Sequence, residues 1–412
     1  MKRREFIVGS LLAAGGAALL GSCGSGTKKR KSTGQVPTRK FQNLDIPLLS
    51  MGCMRLPVIN GKIDVAQVEK MTDYAMRHGV NYFDTAYMYH GGESEPTMGK
   101  VLSSYKRSNF FLATKNPLRA LNSKDDVRRI FEDQLKRCQT EYFDFYLAHN
   151  ISVLTIDNFR NFDVYEELTK IKQEGKIRNL GFSYHGTYEL LQEVVAQHPW
   201  DFAQIQLNYL DWTAMGVNKN YEVLTKANIP VLPMTPLRGG ALTRLTGSAK
   251  KVLADEAPDD TQASFGLRWV AARENVFTVL SGMSSLAQLQ ENTETFINYR
   301  PFTKKEEEIV EKIVAILQKH GEINCTTCNY CQDCPRGIAI PAIFTLYNDY
   351  KATGKIDDFI RDYDSLDERA KADKCIKCGL CSEHCPQLLD IPNLLAMVDE
   401  TVRNLRSKQT VA

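Results

Sequence analysis

Two short runs of cysteines near the C-terminus constrain this chain more than any other feature. Eight of its eleven cysteines lie in CTTCNYCQDCP and CIKCGLCSEHCP, and both runs end in Cys-Pro. Two-residue gaps let one short turn aim three thiolates at three corners of an iron–sulfur cube, while the fourth corner needs a more distant cysteine. The sequence therefore predicts two [4Fe-4S] clusters. The predicted ligands are Cys325, Cys328, Cys331 and Cys334 in the first run, and Cys375, Cys378, Cys381 and Cys385 in the second.

Zinc sites and disulfides are the alternative uses of so many cysteines. Zinc commonly binds two Cys-x2-Cys pairs separated by a longer stretch, and three cysteines at two-residue gaps cannot easily pair with one another. The second run has the spacing of bacterial ferredoxins, in which the last cysteine of a run binds the other cluster. We therefore expect Cys385 to join the first cluster and Cys334 the second. The shorter spacing before Cys334 leaves local ligation open for the first run.

The overall composition limits the classes of partner. The chain has 412 residues with a formal charge of +3, which is long enough for one large domain and a smaller one. No basic stripe occurs outside the N-terminus, so no nucleic-acid partner is expected. The other cysteines, Cys23, Cys53 and Cys138, are scattered and predict no disulfide framework.

Residues 1–23 have the pattern of a targeting segment. A basic start precedes an apolar run that is too short and too rich in Gly and Ala to be typical of a membrane span. RREFI at positions 3–7 resembles a twin-arginine signal, which exports folded proteins, and LGSC ending at Cys23 resembles a lipobox. We expect export to the cell envelope or periplasm, with membrane contact only through a lipid on Cys23. An ordinary cleaved signal is the alternative. Residues 24–40 are polar and basic and predict a linker.

Between residues 41 and 304, apolar strand candidates alternate with helical patterns. The predicted strands are 49–54, 82–85, 110–115, 143–149, 177–183, 202–208, 231–236 and 277–282. Eight strand–helix units favour an α/β fold, a closed (β/α)8 TIM barrel, with a doubly wound sheet as the alternative. Residues 305–412 predict a small, mostly α-helical two-cluster ferredoxin-like domain. It would begin with an amphipathic helix over 305–319 that leaves the barrel.

Polar residues occupy the carboxyl ends of the predicted strands, where catalytic groups of such barrels project. Asp84 ends the second strand, with Tyr89 five residues further on. Lys115 ends the third strand and His149 the fourth. A lone lysine or histidine at such a position is usually structural. Four such residues at the ends of three successive strands favour a catalytic site.

The order of several motifs resembles the aldo-keto reductase superfamily over about residues 41–300. These motifs are FDTAYMY, ATKNP, DFYLAHN, GKIRNLGFS, the QLNY run and SGMSSLAQLQEN, and the attached cysteine runs resemble an iron–sulfur subgroup. The resemblance implies a tetrad of Asp84, Tyr89, Lys115 and His149. Tyr89 would donate a proton to the carbonyl oxygen, with its pKa lowered by a buried Lys115 cation. Asp84 would orient Lys115, and His149 would orient the carbonyl.

The same resemblance implies a nicotinamide cofactor. Ser183 and Gln206 would hydrogen-bond the carboxamide, and Met234 would cover the ring. Arg238 would meet the pyrophosphate. The adenosine end would lie against Gly282, Gln288, Glu291 and Asn292. Members that use NADPH often carry Lys or Arg where this chain has Gly282, Ser284 and Gln288, so NAD(H) is at least as suitable as NADP(H).

These observations predict an oxidoreductase that transfers a hydride between NAD(H) or NADP(H) and an aldehyde, a ketone or an alcohol, including sugars. The alternatives are an electron-transfer module, in which the barrel is a docking scaffold for a redox partner, and clusters that act only as structural staples. Hydride transfer moves two electrons at once, whereas a [4Fe-4S] cluster takes one. The sequence gives the clusters no place in the expected reaction.

Overall fold

A computed structural model describes residues 34–411, with side chains for residues 34–408. The targeting segment, Cys23 and most of the predicted linker lie outside the described residues. The last part of that linker is already structured, because Val36 is buried and the first strand begins at Thr38.

Twelve strands occur in the described residues. They are Thr38–Phe41 (β1), Leu44–Pro47 (β2), Leu49–Gly52 (β3), Val58–Ile59 (β4), Lys62–Ile63 (β5), Tyr82–Asp84 (β6), Phe111–Pro117 (β7), Phe143–Ile151 (β8), Ile177–Tyr184 (β9), Phe202–Gln206 (β10), Val231–Met234 (β11) and Val279–Gly282 (β12).

Eight of these strands form one parallel sheet in the order β11-β10-β9-β8-β7-β6-β3-β12. Val231 on β11 forms a parallel bridge with Val276, just before β12, and this bridge brings the two ends of the sheet together. The backbone N–H of Val231 donates to the carbonyl of Asn275 at 2.8 Å. The predicted (β/α)8 barrel is confirmed, and the doubly wound alternative is wrong.

Sixteen α-helices occur in the described residues, and most of them follow the strands and cover the outside of the barrel. They are Val65–Arg77 (α1), Ser94–Leu102 (α2), Lys124–Arg137 (α3), Ile156–Asn161 (α4), Val164–Gln173 (α5), Tyr188–Gln197 (α6), Asp211–Ala214 (α7), Val217–Lys226 (α8), Gly247–Glu256 (α9), Gln262–Ala271 (α10), Leu286–Ile297 (α11), Lys304–Lys319 (α12), Ile340–Thr353 (α13), Ile356–Asp364 (α14), Leu380–Glu383 (α15) and Ile391–Val411 (α16). Reciprocal capping boxes fix the starts of α3, at Ser123 and Asp126, and of α12, at Thr303 and Glu306.

The barrel interior is closed at the amino ends of the strands. Strands of a parallel sheet are buried on both faces, and all nine residues of β8 are buried. Phe41, on the hairpin of β1 and β2, packs against Phe145, Phe202 and Phe277 with ring centroids 5.2, 6.3 and 4.6 Å away. Because this aromatic plug fills the amino end, the carboxyl end is left for a site.

The helix α12 belongs to the barrel, contrary to the expectation that it leaves it. Its buried face, which includes Ile309, Ile313 and Leu317, is part of the same apolar core as the strands and helices of the barrel. The predicted boundary at 304/305 is therefore too early by the length of this helix. Ile323 is the first residue of a separate, smaller core.

That smaller core lies between α13, α14 and α16. It includes Phe344, Phe359 and Val398 together with the cluster cysteines Cys331 and Cys385. The predicted helical domain is present, and its cysteines are part of its interior. In the part of the chain that the structure describes, no helix combines the length and apolarity needed to cross a bilayer.

Candidate active site

The four predicted catalytic residues come together at the carboxyl end of the barrel. Lys115, on β7, has no exposed surface, and its Nζ lies 2.5 Å from Oδ1 of Asp84 at the end of β6. The same Nζ lies 4.9 Å from the centroid of the Tyr89 ring. The ring of His149, on β8, meets the ring of Tyr89 edge to face with centroids 6.0 Å apart. One buried cation thus stands between a carboxylate and a phenol.

Burial dominates the acid–base properties of this group. It raises the pKa of Tyr89 well above its ordinary value, and the charges of Asp84 and Cys53 add to the rise. The net lowering of this pKa expected from Lys115 is therefore not found, because burial prevails. Burial also lowers the pKa of His149 well below its ordinary value, with the charge of Lys115 acting in the same direction. At neutral pH the site holds a protonated phenol and a neutral imidazole.

A cavity of about 720 Å³ opens beside these residues. Tyr89, Asp84 and His149 line one end of it. The predicted cofactor residues on its wall are Ser183, Met234, Gly282, Gln288, Glu291 and Asn292. Met234 and Gly282 are the last residues of β11 and β12, and the other residues of the adenosine end lie on or before α11.

Some of these cofactor residues are held by local hydrogen bonds. The hydroxyl of Ser183 accepts from the backbone N–H of Asn150 at 2.7 Å. The amide of Asn292 donates to the hydroxyl of Ser281 at 3.2 Å, and the carbonyl of Gln288 accepts from the N–H of Ser284 at 2.8 Å. These bonds hold short polar side chains along the cavity wall.

Two predicted cofactor residues are engaged elsewhere. Arg238 has a left-handed backbone (φ +48°), and its guanidinium turns away from the cavity to pair with Asp211 at 3.1 Å and bond Asn324 at 2.5 Å. Gln206 uses both ends of its amide, donating to Asp211 at 2.5 Å and accepting from Gln387 at 2.9 Å. The expected roles of Arg238 at the pyrophosphate and Gln206 at the carboxamide find no support in this geometry.

The cavity residues that were missed from the sequence include Arg55, His185, Gln204, Lys250 and Tyr330. Strand-end position was an available signal for His185, just after β9. Side chains two residues apart on a strand lie on the same face, so the predicted site residue Gln206 was a signal for Gln204. The amide of Gln204 donates to Asp84 at 3.5 Å. No local pattern marks Lys250, an exposed cation with no ion pair among the described residues.

The first cysteine run forms part of the cavity wall. Thr326, Cys328 and Tyr330 line the cavity together with Asp84, Tyr89 and His149. The guanidinium of Arg55, just after β3, donates to the carbonyl of Thr326 at 3.1 Å. Gly239 (φ +64°) lies so close that a Cβ there would stand 2.1 Å from the same carbonyl, so only glycine fits. The cluster segment and the barrel therefore share one site.

The thiols of the two runs fall into two groups. Burial raises the pKa of Cys325 to about 11 and of Cys331 to about 12, and the nearby charge of Cys385 adds to both shifts. Burial and then the charges of Cys334 and Cys375 raise the pKa of Cys381. Crossed ligation would place Cys325, Cys328 and Cys331 with Cys385, and Cys375, Cys378 and Cys381 with Cys334. The neighbours named here fall within these two sets.

The two runs also share a local turn. Thr327 and Lys377, each two residues after the first cysteine of its run, have positive φ and donate a backbone N–H to that cysteine at 3.4 Å. Within residues 34–408, no three His, Cys, Asp or Glu side chains converge as they would around a single metal ion. The thiols around a [4Fe-4S] cube lie further apart than the ligands of a single metal ion, because every thiolate binds a different iron.

The cavity and the thiol groups both fit the groups that the sequence implies. Thr235 lines the cavity, and its buried hydroxyl has no hydrogen-bond partner in residues 34–408, so a polar donor or acceptor is left for a bound molecule. All eight thiols of the two runs are free, which suits ligation of two cubes.

Barrel, buried lysine–carboxylate pair and neighbouring phenol together define an oxidoreductase site. A model of the Aldo/keto reductase family matches residues 48–315, well over half of the chain, so the chain belongs to this family. A model of the 4Fe-4S dicluster domain matches residues 324–390.

Individual relatives cover the barrel. The chain is 26% identical over 298 residues to L-galactose dehydrogenase of Arabidopsis thaliana, which is 67% of this chain and 92% of the relative. It is 27% identical over 314 residues to the uncharacterized oxidoreductase YqkF of Bacillus subtilis, covering 68% and 94% of the two chains. The solved aldo-keto reductase AKR11C1 from Bacillus halodurans, in its holo form, is similar with a TM-score of 0.58 and 25% identity over 68% of this chain and 96% of that one.

Proposed function

We propose that this protein reduces a small aldehyde or ketone, or oxidises the matching alcohol, with a nicotinamide nucleotide held along the cavity. The observation that carries the proposal is the wholly buried Lys115 between Asp84 and Tyr89. A buried charge is costly unless it is paired, and such charges concentrate at functional sites. The nucleotide, when bound, supplies or accepts the hydride.

The side chains then divide the acid–base work. Tyr89 is protonated at neutral pH and donates its proton to the carbonyl oxygen. The ammonium of Lys115, 4.9 Å from the ring, stabilises the phenolate that remains, and Asp84 keeps this ammonium in position. His149 is neutral and can donate a hydrogen bond to the same oxygen.

Substitution of the proton donor and its neighbour tests this proposal. We expect Tyr89→Phe and Lys115→Met to lower the rate of carbonyl reduction by a factor on the order of 100 or more, with little change in nucleotide affinity. Tyr188→Phe, at a partly exposed tyrosine on α6, is the matched control. Full activity in Tyr89→Phe would show that another group donates the proton.

The role proposed for the iron–sulfur region is separate from hydride transfer. Two [4Fe-4S] clusters, bound in the crossed arrangement, are supported by the two thiol groups and the shared turn. Each cluster exchanges one electron, so neither takes part in a hydride step. In the leading proposal the clusters hold the cavity wall that carries Cys328.

Electron transfer to a redox partner is the second candidate function. It is favoured by one observation: Cys328 lines the cavity, whereas Cys378 is exposed. Adding NADH or NADPH without oxygen and recording EPR spectra separates the two candidates. The leading proposal expects carbonyl turnover with no change in cluster oxidation state. Reduction of the clusters by nucleotide would favour the electron-transfer function.

We further propose that the chain is exported folded and anchored by a lipid on Cys23. The support is the RREFI and LGSC motifs in residues 1–23. Changing Arg3 and Arg4 to lysine should retain precursor in the cytoplasm. Mass spectrometry of the mature N-terminus tests acylation, and a soluble form that begins at another residue would remove the lipoprotein proposal.

A further inference from the structure

The tetrad end of the cavity is walled by the iron–sulfur domain. Tyr330 lies between the ligands Cys328 and Cys331, and Gln387 follows Cys385 by two residues; both line the cavity with Tyr89 and His149. Tyr330 lies close enough to Tyr89 and to Lys115 for both groups to act on it electrostatically. The substrate therefore sits between a barrel wall and a cluster wall.

Several polar side chains that line this end of the cavity have no hydrogen-bond partner among the described residues. Within residues 34–408, the side chains of Tyr89, His149, His185 and Tyr330 make no hydrogen bond. The amide of Gln387 donates to Gln206, and its carbonyl oxygen has no donor in the same residues. Such a set of donors and acceptors is satisfied only by water or by a ligand that carries several polar groups.

Charged groups near this end are already committed. Lys115 is bonded to Asp84 and to the carbonyl of Thr85 at 2.7 Å. Arg119, after β7, donates to the backbone carbonyl of Glu383 and does not line the cavity. Burial lowers the pKa of His185 to about 4, so this imidazole is neutral at pH 7. Arg55 also lines the cavity, and its guanidinium donates to the carbonyls of Thr326 and Thr327 at 3.1 Å. Among the described residues each of these cations is already bonded to protein atoms, which disfavours a carboxylated or phosphorylated substrate at this end.

We propose that Tyr330, His185 and Gln387 bind the hydroxyl groups of a neutral polyhydroxylated carbonyl compound or its polyol, so that the iron–sulfur domain selects the substrate of the barrel. That this compound is reduced or oxidised rests on the proposed function, whereas its binding to these three residues does not. Tyr330 acts here as a positioning residue, since it holds a part of the substrate distant from the reacting carbon. Its own position depends on the cluster ligands on either side.

A pair of aldehydes of equal length tests the inference. Glyceraldehyde carries two hydroxyls that propanal lacks. In the holoprotein we expect kcat/KM to favour glyceraldehyde, and Tyr330→Phe to lower that value roughly tenfold while propanal changes by less than about twofold. Tyr188→Phe is the matched control, and iron content must be equal in all variants. Unchanged discrimination in Tyr330→Phe, or a wild-type preference for propanal or succinic semialdehyde, would overturn the proposal.

A binding measurement separates this inference from the proposed reaction. 1,5-Anhydroglucitol is a sugar ring without a carbonyl group, so its binding to the nucleotide-loaded holoprotein by calorimetry needs no turnover. We expect Tyr330→Phe to weaken this binding roughly tenfold. If no aldehyde is reduced by any variant but this binding persists and depends on Tyr330, the reaction is wrong and the subsite stands. If aldehydes are reduced but the polyol does not bind, the subsite is wrong.

Discussion

The barrel and the iron–sulfur domain reach a fixed structure by different means. The barrel closes through backbone pairing, fills its amino end with four phenylalanines, and holds the buried ammonium of Lys115 against Asp84. The smaller domain packs three helices around a core that includes Cys331 and Cys385. Burial raises the pKa of Cys331, so its thiol is protonated until iron displaces the proton. The buried charge of the barrel is therefore paired by a protein side chain, whereas the buried thiols of the smaller domain depend on bound metal, so its folding is coupled to metal binding.

The same substitution made in both regions tests this contrast most strongly. Cys385→Ala should reduce iron from about eight atoms per chain to about four or fewer, because one cube loses a ligand. Cys138→Ala removes a buried thiol from the barrel and should leave iron unchanged. Iron analysis and low-temperature EPR measure the outcome. Full iron content in Cys385→Ala would exclude Cys385 as a ligand.

The contact between the two regions depends on a buried arginine. Arg238→Met leaves Asp211, which has no exposed surface, without its cation, and should destabilise the protein by about 3–5 kcal/mol. Arg160→Met removes an exposed pair with Glu193 and should cost less than about 1 kcal/mol. Urea unfolding followed by tryptophan fluorescence compares the two variants. Equal losses would mean that the buried pair of Arg238 and Asp211 contributes no more to stability than an exposed pair.

Acid stability should expose the charge network under α12. Burial would raise the pKa of Glu306, but hydrogen bonds from Arg268, Thr303 and Arg300 prevail and lower it to about 2. A folded-state pKa below the unfolded value stabilises above about pH 4.5, and this stability is lost as pH falls toward 2. Glu306→Gln should cost roughly 2 kcal/mol at pH 7. Its difference from wild type should shrink between pH 4.5 and 2, and a difference independent of pH would contradict the assignment.

Nucleotide preference should show the smallest effect. With Gly282, Ser284 and Gln288 uncharged, we expect NADH to bind at least as tightly as NADPH. Lys250 is the exposed cation on the cavity wall, and Lys250→Gln should weaken NADPH by only about twofold to fivefold and leave NADH unchanged. Titration of the nucleotide-free protein with each nucleotide measures this. A hundredfold preference for NADPH would require a cation in contact with the 2′-phosphate.

The sequence predicted what short-range pattern controls. Eight strand–helix units identified the barrel, and strand ends identified Asp84, Lys115 and His149. Side chains whose direction depends on distant partners were not predictable: Arg238 turns toward Asn324. The helix α12 was misassigned because an amphipathic face does not reveal which core it joins.

Cavity membership of Tyr330 was also not predictable. Nothing near it in the chain refers to Tyr89, which lies far away in sequence, and its cysteine-rich surroundings indicated only iron binding. The sequence motifs divide the molecule into a catalytic part and an iron-binding part. Residues of both parts line the cavity, so this division does not hold there.

The position of Cys328 in the cavity wall has a consequence for maturation. A chain that has folded its barrel but not received iron would hold Tyr89, the proposed proton donor, and the groove proposed for the nucleotide in place, and would lack a fixed wall on the substrate side. Loss of the cluster through oxygen damage would leave an aged preparation in the same state, with a folded barrel and no fixed wall on the substrate side. Ageing in air should then be seen as lost selectivity among substrates, with the barrel still folded and still able to bind nucleotide.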